Sequence, residues 1–276
     1  MQGKRRVYPS ERKPAKWVSY SLLFLSAVIL FSGVAARSGG DAVIRTVATP
    51  RLAIPLDAAF DETRETQEIT LNGSVWYALQ LGAFETEEAA HQLAEQFQRR
   101  GAAGYVWQDE RYRVLAAVYP EKEDAQAVRQ QLREQHDVDS YLYEISIPAL
   151  SLRMTGMKGQ IEILEAAFLH ADELIRQMER ISETLDRQEI TPAEAVTELN
   201  TLREQVELVA LRMEQRFAAP RNTAVERLIA LFQDYAAFAR EKTGQESNAT
   251  LSRQIKYQTL QSIRLLLELI GEMRNT

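Results

Sequence analysis

Residues 75–97 read VWYALQLGAFETEEAAHQLAEQF, and residues 110–132 read ERYRVLAAVYPEKEDAQAVRQQL. The second stretch repeats the first at an offset of 35: Tyr77, Leu79, Gly82, Phe84, Ala90, Leu93 and Phe97 return as Tyr112, Val114, Ala117, Tyr119, Ala125, Val128 and Leu132. In each copy an alternating apolar segment runs through a Gly/Ala-rich turn into a stretch rich in Glu, Ala and Gln. The hydrophobic period changes there from two to about 3.6, the mark of a strand followed by a helix. The spacing predicts strands near Val75–Leu81, Gly104–Gln108, Arg111–Ala117 and Ser140–Ile147, and helices near Thr86–Arg100 and Glu121–Gln135. Gly101 stops the first helix, and Pro120 opens the second, where its missing N–H is not needed. Asp109-Glu110 is a connection of hairpin length. The result is βαββαβ: one sheet with both helices on one face and the other face free.

Outward to the N-terminus, residues 1–16 hold Lys4, Arg5, Arg6, Arg12, Lys13 and Lys16 against the single acid Glu11. The uncharged run WVSYSLLFLSAVILFSGVAA follows at 17–36 and has the length a helix needs to cross a bilayer. The positive-inside rule keeps the basic tail in the cytoplasm and exports the rest, with Trp17 and Tyr20 at the inner interface. The reading is a single-pass membrane anchor; a cleaved signal peptide ending near Val34 and Ala36 is the alternative. Residues 37–73, with Gly39-Gly40, Pro50 and Pro55, read as an extended linker. The chain has no cysteine, which excludes disulfides, thiolate nucleophiles and thiolate metal sites.

Beyond the repeat, residues 148–276 turn to long runs of helical spacing, and helices are expected near 151–187, 192–218, 223–243 and 249–273. Gly156–Gly159 is expected to break the first. Thr191-Pro192-Ala193-Glu194 and Thr223-Ala224-Val225-Glu226 match the capping-box pattern. Val225, Leu228, Ile229, Phe232, Tyr235 and Ala236 form one apolar stripe, as in an antiparallel bundle. LLLELI, residues 265–270, is apolar around most of its circumference and must be buried, within the bundle or in a partner.

The residues Gln80, Gly82 and Phe84, followed by Tyr112, Arg113 and Val114, resemble the SPOR (sporulation-related repeat) domain family of bacterial envelopes. The family pattern has Ser where this chain has Ala83, and Gly-Pro-Phe where it has Ala117-Val118-Tyr119. The resemblance covers residues 75–147. It implies an RNP-like or ferredoxin-like fold, binding to peptidoglycan glycan strands stripped of stem peptides, and no catalysis. The expected fold class is thus α+β: a SPOR-like domain at 74–147, a helical bundle at 148–276 and an N-terminal transmembrane helix. No cofactor or metal is expected.

Strand alternation assigns the faces. With Leu79, Leu81, Val106, Tyr112, Val114 and Leu142 toward the helices, the free face receives Trp76, Gln80, Tyr105, Trp107, Arg111, Arg113, Tyr141 and Tyr143. Rings of this kind stack on pyranose C–H faces, and Gln and Arg donate to acetamido and hydroxyl oxygens. These eight, with Ala83 at the turn, form the candidate glycan site, Gln80 and Trp107 foremost. Phe84 and Tyr119 are expected to plug the core.

Nucleic acid is excluded as a partner: residues 75–147 hold seven Lys/Arg against thirteen Asp/Glu, whereas phosphate binding needs a basic surface. His91, His136 and His170 lie in no metal-binding or catalytic spacing, and His170, on a charged helix face, is expected to be solvated. The reading is a septal, non-enzymatic glycan binder, at division or sporulation septa. The alternative is an extracytoplasmic scaffold whose bundle binds a protein partner or self-associates.

Overall fold

The computed structural model describes residues 63–219 and 221–274. The basic tail, the segment at 17–36 and most of the expected linker lie outside the described residues, among which no helix is long and apolar enough to cross a membrane. The chain is α+β, a sheet region followed by helices. Its elements are β1 (Arg64–Leu71), β2 (Ser74–Phe84), α1 (Glu87–Gln98), β3 (Tyr105–Gln108), β4 (Tyr112–Tyr119), α2 (Lys122–His136), β5 (Tyr141–Ile147), β6 (Leu150–Met157), α3 (Lys158–Asp186), α4 (Pro192–Arg216), α5 (Thr223–Arg240) and α6 (Asn248–Arg274).

The repeat forms an antiparallel four-stranded sheet of order β3-β4-β2-β5. As the alternation predicts, Leu79, Val114 and the half-buried Leu81, Val106, Tyr112 and Leu142 pack in two clusters with residues of α1 and α2. Tyr119 is buried there and Phe84 half-buried, both as core plugs. Thr86 caps α1, its Oγ1 accepting from the Ala89 N–H at 3.4 Å.

Two expectations give way. Residues 64–71 do not belong to an extended linker, and 150–157 do not open a helix: β1 and β6 pair antiparallel over eight residues, from Arg64 opposite Met157 to Leu71 opposite Leu150. β6 alternates polar and apolar residues, and β1 does so at its Ile69-Thr70-Leu71 end; their apolar side chains, Ile69 and Leu71 buried, Leu152 and Met154 half-buried, join the core of the bundle. The signal within β1 is weak because only Ile69 and Leu71 are apolar, and the pairing partners lie 79 (Leu71–Leu150) to 93 (Arg64–Met157) positions apart. Gly73 lets β1 turn into β2 beside the β5–β6 junction, since a Cβ there would sit 2.8 Å from the Ile147 carbonyl oxygen.

Helices α3 to α6 form the expected bundle. The capping box at Thr191 is present, with the Thr191 N–H donating to Glu194 at 2.8 Å. The α5 cap is Asn222 rather than Thr223, its Oδ1 accepting from the Ala224 N–H at 2.8 Å. In LLLELI, Leu266, Leu269 and Ile270 are buried and Leu265 and Leu267 pack against the same core, so the chain itself covers this segment. His170 is buried rather than solvated, and its Nε2 has no hydrogen-bond partner among the described residues. Burial holds its pKa below the usual imidazole range.

The bundle lies against the sheet. Trp76, Ala78, Trp107, Leu115, Val118, Ile145 and Ile147 of the sheet share one continuous core with α3 to α6. Burying a side chain of this size contributes about 1.5–3 kcal/mol, so the contact is a principal part of the fold.

Candidate glycan site

The face opposite α1 and α2 is not free from end to end. Trp76 is 0% and Trp107 2% exposed, which overturns their expected role as stacking platforms open to sugar. The Arg176 guanidinium of α3 lies 5.4 Å from the Trp76 ring centroid, and Arg264 of α6 lies 5.2 Å from that of Trp107. Arg264 also donates from Nη1 to the Gln108 carbonyl at 2.7 Å, fastening α6 to the rim of β3. Tyr105 is half-buried, in an edge-to-face arrangement with Tyr257 of α6, ring centroids 5.0 Å apart. Burial, then the nearby Tyr257, pushes its hydroxyl up to about 12. These three aromatics belong to the joint between sheet and bundle.

Cover ends along the strands. In β2 the face passes from buried Trp76 and Ala78 to half-buried Gln80; in β5 it passes from buried Ile145 to half-buried Tyr143 and exposed Tyr141. Register brings the open ends together: Gln80 stands opposite Tyr141, Ala83 opposite Arg113, and Trp107 opposite Arg113.

One network holds this corner. Arg113 donates from Nε to Asp109 Oδ2 at 2.7 Å and from Nη1 to Gln80 Oε1 at 3.0 Å. Its guanidinium lies 4.7 Å from the Tyr143 ring centroid, and the Tyr143 hydroxyl donates to the same Asp109 oxygen at 2.8 Å. Partial burial pulls the Asp109 carboxyl upward, but hydrogen bonds from Arg113, the Arg111 N–H and Tyr143 outweigh it and hold the group below its usual range. Gln80 is engaged through its oxygen alone; its amide nitrogen has no hydrogen-bond partner among the described residues. The corner therefore offers an oriented amide donor beside two tyrosine rings. Arg111 is exposed at its edge and paired with Glu85 at 2.9 Å. Asp109, absent from the expected set, is the hub. Its hairpin position was visible in the sequence, but its bonds across β4 and β5 were not.

The SPOR domain family model matches residues 58–108 and again residues 76–144. That match supports the SPOR family. It spans about a third of the chain and contains the whole corner, including Gln80, Asp109, Arg113 and Tyr143. No curated protein and no solved structure matches the chain. No set of three His, Cys, Asp or Glu side chains able to hold a metal ion occurs among the described residues.

Proposed function

We propose that this protein binds peptidoglycan glycan strands, without catalysis, at the uncovered corner of its SPOR-type sheet. The Gln80–Arg113–Asp109–Tyr143 network carries the reading. It fixes a neutral amide donor and tyrosine faces in one partly wet surface, within the region that matches the SPOR family. Tyr141 extends the aromatic surface, and Ala83 and Arg111 flank it. In the same reading, the segment at 17–36 tethers the body outside the cell membrane, and glycan bared at division or sporulation septa draws it there.

Retention of the purified full-length chain on cell-wall sacculi tests this. Amidase-treated sacculi should retain the protein more than untreated ones, and Gln80→Ala with Tyr143→Ala should lower retention at least tenfold while circular dichroism stays unchanged. Equal retention of the double variant would refute the corner as the site. The scaffold reading draws on Leu208 and Leu211, both exposed on α4. Retention that depends on an added protein rather than on glycan would favour it.

A further inference from the structure

A polar cavity of about 80 Å³ opens where sheet and bundle meet and shares no lining residue with the glycan corner. It lies between the end of β4 and helices α2, α3 and α6, and four carboxylates line it: Asp124, Glu179, Glu183 and Asp186. Two of these are matched. Lys256 of α6 pairs with Asp186, which also accepts from Ser252 Oγ at 2.6 Å, and Arg187 pairs with Glu183. Asp124 of α2 and Glu179 of α3 have no ion-pair partner among the described residues. Glu179 is 8% exposed, and no hydrogen-bond donor among the described residues reaches its carboxyl.

A buried acid without a partner either keeps its proton or takes a counter-ion. The cavity has room for the latter, since a single water needs only about 10–15 Å³. No metal-binding set exists among the described residues, and the unmatched acids number two, one from each wall. Ala117, Val118, Ala127 and Val128 give the cavity one apolar side, and Gln131, Ser182 and Tyr119 complete the uncharged lining. We propose that this cavity takes a primary alkylammonium group, with Glu179 and Asp124 as its anionic partners and the apolar wall around its methylene chain. The compact ammonium has three donors to share between two carboxylates on different helices, which a planar guanidinium fork does not match as well.

Binding exchanges one cation for another: the ammonium enters as the Glu179 O–H bond breaks and its proton passes to water, and no other covalent bond changes. Burial, then the charges of Glu183 and Asp124, pushes Glu179 up to about 8, while Lys256 and Arg187 pull it down. Tyr119 of β4 and Asp186 also line the cavity. Apparent affinity should therefore rise about tenfold per pH unit from pH 5 to 7 and level off above pH 8.

The test uses the purified full-length chain in amine-free buffers at fixed ionic strength. n-Propylammonium chloride should raise the thermal midpoint, with close to one proton released per amine at pH 7, and tetramethylammonium and sodium chloride should not. Glu179→Gln should abolish the response, and Asp124→Asn, at an exposed position, should weaken it at least threefold. A blocked Ala-Lys-Ala peptide, compared with n-propylammonium, separates a lysine side chain of a polypeptide from a free amine as the natural source, and binding of either supports the site, whereas binding of Ala-Arg-Ala as tight as that of Ala-Lys-Ala would overturn it. Equal responses to propylammonium and tetramethylammonium, no response to amine or peptide, or a Glu179→Gln response equal to the parent's would overturn it.

Discussion

Replacing Glu179 with Gln should stabilise the protein, and by more at high pH than at low. The folded state holds the Glu179 proton up to about pH 8, against an ordinary value of 4.5 in the unfolded chain. Unfolding between those values releases a proton, so the parent loses stability as pH rises from about 4.5 to about 8. At about 1.36 kcal/mol per pH unit, the penalty is ~1 kcal/mol at pH 5, ~3 at pH 7 and ~5 above pH 8. Gln keeps the shape and drops the charge, so the variant should gain those amounts over the parent. Every group facing the position adjusts this: Glu183 and Asp124 add to the penalty, whereas Lys256 and Arg187 reduce it. Urea unfolding of the full-length chain in phosphate, acetate and borate buffers, from pH 5 to 9, measures the difference directly. A gain that stays constant within about 0.5 kcal/mol across that range would refute the assignment of Glu179 as a buried, proton-holding acid. Buffers based on primary amines are unsuitable, because saturation of the cavity should erase the advantage of the variant.

Trp107→Ala should destabilise the protein by about 3–5 kcal/mol, the range for large core truncations, because the ring is buried between sheet and α6; a urea midpoint within about 1 kcal/mol of the parent's would return Trp107 to the open face. Gly104→Ala should cost more than about 2 kcal/mol by the same assay, since the residue has a φ of +59° and a Cβ would lie 2.7 Å from the Ala94 carbonyl oxygen.

The sequence alone determined what depends on near neighbours. The 35-residue repeat set the two strand–helix units, and alternation divided Leu79 and Val114 from Trp76 and Trp107 before any tertiary contact was known. Capping at Thr191 and the apolar stripe of α5 were legible for the same reason: a period or a cap is written within a few residues. The tertiary structure alone decided what lies against those faces. Trp76 and Trp107 present the same alternating signal whether a ring meets a sugar or the leucines of a helix, so their burial and the openness of Gln80, Tyr141 and Tyr143 depended on where α3 and α6 come to rest. Long-range pairing likewise made strands of Arg64–Leu71 and Leu150–Met157 and brought Asp109 to Tyr143. Chain periodicity specifies the direction in which a side chain points, and only the fold supplies its neighbour.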